Sequence, residues 1–425
     1  MLFAVVPVAS RAQTLAELYR AALQGNPALL SRQFDAERAR GESEGAYSRL
    51  LPQVIAQGGW SRNEFRDRQN DLNYGGKRAS LIGRLALYDP AARGRFEASQ
   101  SVVAQRELDL AQVRVELFGE LLERYLQALA AQDKQASLAA ESAAAKQQVD
   151  RLRAMRERQM AKVTDLTEAQ AYAQGLVTRA IDAGNERAVA LLRLGELSGI
   201  AVKQVPALTR ATFEPIAGMA AERVAGAMRS NPRLAALSQA VEATRRNVEA
   251  IRAERLPQLA VTLSRTYADQ GFDNRQQPPY HATSLGLEWR MPLYEGGRVD
   301  AAEREAVARR GAVEQQLEAA RREIARETET FVLSAQANHA RIGSTDLEVL
   351  ALEQAVQAQE KGLELGVSRI TDLLDARRRL LEARAEQAKA RYSYVRDVVA
   401  LRVRSGELSD ADIESWGGWF GASSR

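Results

Sequence analysis

Proline placement constrains this chain more than any other feature. None of its eleven prolines lies between residues 91 and 205, and none follows Pro292. Those two spans hold 115 and 133 residues, and both are rich in Ala, Leu, Glu, Arg and Gln. Proline breaks a helix interior by removing a hydrogen bond and clashing with the preceding turn. Ala, Leu, Glu, Arg and Gln are the strong helix formers. More than half of the chain therefore reads as very long helices, and an α/β enzyme with many strand-to-helix turns is disfavoured.

The prolines outside those spans mark an internal repeat. Asn26-Pro27 matches Asn231-Pro232 (231 − 26 = 205), and Leu51-Pro52-Gln53 matches Leu256-Pro257-Gln258 at the same offset of 205. Leu87-Tyr88 matches Leu293-Tyr294 at 206, and Val163-Thr164-Asp165-Leu166 matches Ile370-Thr371-Asp372-Leu373 at 207. The period is too long for a solenoid and means a duplicated domain. The repeats are placed at 13–215 and 216–408, followed by a Gly-rich tail, 409–425. Residues 1–12, apolar and ending in Ser10-Arg11-Ala12, read as the remnant of a secretory signal peptide.

Each repeat reads as two short helices, two strands and a long helical hairpin. Strands are expected at 53–65 and 78–88, and again at 258–268 and 282–291. The second pair alternates clearly, with Leu259, Val261 and Leu263, then Leu285, Leu287, Trp289 and Met291. Gly58-Gly59 interrupts the first. The loops between strands are expected at 66–77 and 269–281, and the long helices at 91–197 and 297–404. Along the last span, Leu317, Ala320, Ile324, Thr328 and Phe331 step by three and four, the coiled-coil period with small and polar residues mixed in. Gly366 supplies a helix stop, Ser368 is a candidate cap, and Asp372 falls in the next first turn.

Composition excludes chemistry. Zero cysteines remove disulfides, thiolate sites and a lipidated N-terminal cysteine, and two histidines, His281 and His339, make a metal cluster or triad improbable. No catalytic, cofactor or metal site is assigned. A net charge of +4 is a small excess, and basic and acidic residues interleave along the helices without a stacking platform for nucleic acid. Arg377-Arg378-Arg379 accordingly reads as a solvated face. No run of about 18 apolar residues exists to cross lipid as a helix. Strands of about ten residues fit a membrane-spanning barrel instead.

With the duplication, Asn231-Pro232, Leu256-Pro257, Pro292-Leu293-Tyr294-Glu295-Gly296-Gly297, Gly366 through Asp375-Ala376 and Ala390 through Tyr394, the chain resembles the TolC-like outer-membrane channel (outer membrane efflux protein) family over nearly its whole length. The resemblance implies a mostly α fold with a small β part: duplicated coiled-coil hairpins and four strands per chain, three chains closing a twelve-strand transmembrane barrel. It implies a homotrimer in outer-membrane lipid, a periplasmic adaptor, an inner-membrane ABC or proton-driven transporter, and passive conduction rather than catalysis. It places Asp372 and Asp375 at an acidic pore constriction, Asp165 and Arg369 at a tip latch, and Lys162, Val163, Thr164, Gly366, Val367 and Ser368 at adaptor-contacting tips. Trp60 and Trp289 take an interfacial aromatic belt. Two positions depart from the family pattern: Arg369 sits one place late, and Leu363 stands where a tyrosine would help close the tip. The rival reading is a soluble coiled-coil tether with a small β-domain. Drug efflux and type I protein secretion are not distinguished.

Overall fold

The computed structural model describes residues 13–67, 70–208, 213–216, 219–269, 278–406 and 408–420. The apolar stretch read as a signal remnant, and residues 270–277 of the expected loop, lie outside the described residues. The elements in chain order are α1 (Leu15–Gly25), α2 (Pro27–Ser48), β1 (Gln53–Asp67), β2 (Asn70–Tyr88), α3 (Pro90–Glu157) and α4 (Val163–Ser198). Then follow α5 (Ala220–Ser230), α6 (Pro232–Arg252), β3 (Gln258–Ala268), β4 (Tyr280–Arg290), α7 (Arg298–Glu364), α8 (Ile370–Ser405) and α9 (Asp410–Gly417). Neither α3, at 68 residues, nor α7, at 67, holds a proline beyond its first position.

The Asn-Pro repeat has a physical reason. Asn26 accepts the backbone N–H groups of Ala28 (3.0 Å) and Leu29 (3.2 Å), capping α2, whose first residue is Pro27. Its amide Nδ2 donates to Leu197 O, 3.3 Å, at the end of α4. In the second repeat, Nδ2 of Asn231 donates to Arg404 O, 2.7 Å, at the end of α8, and Pro232 opens α6. Proline is pre-set for the first helical position, and the amide satisfies carbonyls that a helix end leaves free. Asn26 therefore starts one helix and closes another, and Asn231 closes α8 beside the start of α6.

The chain divides into two compact units. The first comprises residues 1–31, 111–232 and 321–425, and its largest apolar cluster gathers Leu15, Leu18, Phe118, Leu121, Tyr125 and Leu194. Thr14 and Glu17 form a reciprocal capping box that starts α1. The tail read as Gly-rich is not loose through residue 420. Ser409 and Asp412 cap α9, whose Trp416 stacks on Phe118 at 5.9 Å, and Phe420 meets Tyr125 edge-on at 4.8 Å. Burying aromatics of this size contributes roughly 2–3 kcal/mol each.

The second unit comprises residues 32–110 and 233–320 and holds the sheet. All pairs are antiparallel in the order β1-β2-β3-β4. β1 and β2 run longer than the alternation indicated. The pairs Ser61↔Gly76, Arg62↔Gly75 and Asn63↔Tyr74 lie in the ladder, so most of 66–77 is strand rather than loop. Beside the sheet, Glu254 is held between Arg95 and Arg298, and Glu303 between Arg252 and Arg255. The two strand-to-helix joints differ. After β2, Asp89 accepts the N–H of Ala92, 2.9 Å, and Pro90 begins α3 at once. After β4, the chain passes through Gly296 (φ 61°) and Gly297 (φ 81°) before α7, a left-handed turn that side chains resist.

Candidate channel wall and helix tips

Residues directly opposite in an antiparallel ladder share a face, and the face alternates along each strand. The register therefore sorts the sheet into two surfaces. One carries Leu259 beside Trp289, then Leu85, Val261 and Leu287, then Val54, Gly83, Leu263 and Leu285. The other carries Arg84, Thr262, Ser264, Ser284, Glu288 and Arg290. On that polar side the Ser264 and Ser284 hydroxyls are 2.7 Å apart, and Glu288 pairs with Arg290 (3.0 Å) and Arg84 (3.9 Å).

The apolar surface is uncovered by this chain. Leu285 is 75% exposed, Leu287 66%, Trp60 71% and Trp289 65%. A sheet that shows leucine outward and serine, arginine and glutamate to the opposite side suits lipid on one face and water on the other. Among the described residues, β1 and β4 each have one edge without a strand partner. Unpaired backbone groups cannot remain in lipid, so such a sheet must be closed by further strands. No helix among the described residues is long and apolar enough to cross a membrane.

The two helix turns sit in the first unit. Between α3 and α4, Met160 N donates to Met155 O at 2.8 Å, and Gln159 adopts φ 59°. Lys162 occupies the N-cap of α4 without a side-chain cap, and Asp165 lies in the first turn. Between α7 and α8, Gly366 takes φ 75°, and Val367 and Ser368 both donate to Gly362 O, at 2.8 and 3.1 Å. A Cβ on Gly362 would crowd the Ser368 side chain, so this tight return favours glycine there. Ser368 is thus folded against α7, and Arg369, not Ser368, holds the N-cap of α8. Leu365 and Val367 are 78% and 80% exposed. Leu152, Leu166, Val356, Ile370 and Leu373 form the apolar cluster behind the turns.

The predicted site residues meet only in part. Asp372 accepts the Arg369 backbone N–H at 3.4 Å, while Asp375 pairs with Arg378. Asp165 and Arg369 make no ion pair with each other among the described residues. Arg377, read as part of a solvated face, is instead half-buried: it reaches Glu360 (2.5 Å) on α7 and Glu141 (3.4 Å) on α3. Tyr172 of α4 donates to the same Glu141 at 3.2 Å, so four helices share one network. Its signal was spacing: Arg377 lies four residues after Leu373 and three before Leu380, both buried. A further cleft of about 610 Å³ lies among α3, α4 and α8. There Tyr392 donates to Asp133, and burial raises the Asp133 carboxyl above its ordinary range against the opposing effect of that hydrogen bond.

An apolar-outside sheet with open edges and charged helical hairpins defines an outer-membrane exit duct, and the comparisons with known proteins agree. Residues 225–407 match the family model described as outer membrane efflux protein. The outer membrane protein TolC of Vibrio cholerae is 26% identical over 409 residues, covering 95% of this chain and 92% of that one. The alkaline protease secretion protein AprF of Pseudomonas aeruginosa is 27% identical over 418 residues, covering 93% of this chain and 85% of its own. The CmeC outer membrane channel of Campylobacter jejuni superposes with a TM-score of 0.83 at 14% identity, over 99% of this chain and 96% of that one. The chain is similar over nearly its whole length to TolC-like outer-membrane channel proteins. It is an outer-membrane protein with its helical part in the periplasm.

Proposed function

We propose that three copies of this chain close one barrel of 3 × 4 = 12 strands and form a passive duct. The duct carries cargo from an inner-membrane transporter, through a periplasmic adaptor, to the exterior. The observation that carries this reading is the pair of unfilled sheet edges, β1 and β4, flanking a surface that is apolar outside and polar inside. Edge pairing of β1 with β4 of the next copy satisfies both edges and leaves none. The chain lacks cysteine, so single-cysteine pairs give a clean test. Gln57→Cys in β1 with Ser284→Cys in β4 is expected to yield cross-linked trimers on oxidation in membranes. Exclusively monomeric chains there would sink the trimer.

At the other end, Asp372 and Asp375 are proposed to ring the pore at its narrowest point. The Arg378 partner offsets the charge of Asp375, so Asp372 carries more of the effect. Asp165 and Arg369 do not pair within one chain, which leaves both for a latch between copies. The adaptor is proposed to dock on Lys162, Val163 and Thr164 and on Gly366, Val367 and Ser368, where Val367 supplies exposed apolar surface. Trp60 and Trp289 are proposed as the two aromatic belts. Their rows are ten residues apart along the strands, about 33 Å, which a ~40° tilt shortens to roughly the 25 Å height of an outer-membrane apolar band.

A further inference from the structure

The apolar surface of the sheet does not stay apolar to its end. Past the row of Val54, Gly83, Leu263 and Leu285, the next row across the sheet is Ala56, Leu81, Arg265 and Thr283. The one after is Gly58, Ala79, Tyr267 and His281. Then come Trp60 beside Lys77, and Arg62 beside Gly75. Three fixed cations, Arg62, Lys77 and Arg265, therefore enter the same outward face that leucine dominates below. Lys77 and Arg62 do so at the end of the strands farthest from the helices, and Arg265 lies two same-face rows nearer the middle than Lys77.

None of the three has an ion-pair partner among the described residues, in contrast to Arg84 and Arg290 on the polar face, which share Glu288. Among the described side chains, neighbouring acids do not cancel them. Glu64 is taken by Arg66 at 3.0 Å, and Asp269, whose backbone N–H donates to Lys77 O at 2.7 Å, supplies one carboxylate against three cations. Aromatic rings flank the cluster: Tyr267 and His281 lie 5.0 Å apart, and Trp60 sits beside Lys77. An unpaired arginine facing acyl chains is costly at mid-depth, but long cationic side chains carry their heads to the boundary. They gain most where a phosphate meets them, because charge-assisted hydrogen bonds to phosphate are the strong ones.

We propose that Arg62, Lys77, Arg265 and His281, with the rings of Trp60 and Tyr267, form a binding site on the outer wall of the barrel for the phosphate-bearing headgroup of an outer-leaflet lipid. The acyl chains lie along Leu263 and Leu285, and the phosphates meet the cations above them. The aromatic residues fix the depth of the headgroup. The site rests on the reading of this face as the lipid-facing wall.

The test uses the purified full-length protein in detergent, with native mass spectrometry counting retained lipid. Three probes are compared: lipid A with both phosphates, lipid A stripped of them, and inorganic phosphate as competitor. Phosphorylated lipid A is expected to be retained, and retention to fall at least about tenfold in the Arg62→Gln, Lys77→Gln, Arg265→Gln variant. Arg265→Lys is expected to keep it. Equal retention of the stripped lipid, equal retention by the triple variant, or displacement by millimolar inorganic phosphate overturns the proposal. Heat-modifiable trimer migration is recorded on the same samples. Its absence from the parent protein would count against the barrel itself, whereas unchanged lipid retention in a variant that still migrates as a trimer counts against this site alone. If the triple variant does not assemble, the three single substitutions replace it, each expected to lower retention about threefold, and no loss in any of them overturns the site.

Discussion

The sheet and the helical unit solve opposite solvent problems with one alphabet. In the helical unit, Phe118, Leu121 and Tyr125 are buried, and charge lies outside in pairs such as Lys134–Glu186. In the sheet, Leu285 and Leu287 face outward, and Arg84, Glu288 and Arg290 occupy the other side. Neither arrangement is unusual for its surroundings, and each would fail in the other's. The contrast shows that which residues count as core depends on what lies beyond the surface, lipid or water. It also explains why a chain with 27% charged residues can have a membrane wall: the charges are distributed to the helices, to the polar face of the sheet and to the outer part of the other face.

The largest effect that would break this contrast is reversal of the wall. Leu285→Arg with Leu287→Arg places one cation near mid-depth, at about 2–4 kcal/mol, and a second closer to the boundary at a smaller cost. Loss of heat-modifiable trimers from the membrane fraction is expected, while Ser284→Arg on the polar face is expected to preserve them. Equal loss from both would show that the faces are not distinguished by lipid. Next in size is Phe118→Ala, which opens the aromatic cluster of α1, α3 and α9 and costs roughly 3–5 kcal/mol. A lowered midpoint for helical circular dichroism, with the β signal of the assembled barrel retained to higher temperature, would sharpen the separation of the two units. Simultaneous loss would show one cooperative structure. The smallest effect concerns charge alone. Asp372→Ala with Asp375→Ala is expected to lower cation preference in planar bilayers and leave the melting temperature within about a degree, since surface carboxylates contribute little to stability. Unchanged selectivity removes these residues from the constriction.

Much of this architecture was legible in the chain because its strongest signals are local. Absence of proline exposes α3 and α7, and Asn-Pro marks the joints where an asparagine amide closes α4 and α8. Alternation exposes β3 and β4, whose one face is apolar from Leu259 and Trp289 to Leu263 and Leu285. It failed for the outer ends of β1 and β2 for a physical reason. There the ladder continues through Arg62↔Gly75 and Asn63↔Tyr74, although neither face is uniformly apolar, so pairing persists while the hydrophobic pattern fades. Glycine content likewise hid α9, although Ser409 and Asp412 have capping-box spacing. Arg377 was misjudged because three consecutive arginines look alike in sequence, and only the helical phase separates the one facing Glu141 and Glu360 from its neighbours. The tip residues are the least legible, because Asp165 and Arg369 find no partner inside one chain, and a sequence names residues, not the copy they meet.

The two strand-to-helix joints carry a mechanical consequence. Asp89 and Pro90 fasten α3 directly to β2, with the first turn capped and the first torsion locked by a ring. Gly296 and Gly297 join β4 to α7 through two left-handed torsions, in open space where an added Cβ would meet no atom within 4 Å. Around a ring of such chains, rivets would therefore alternate with swivels.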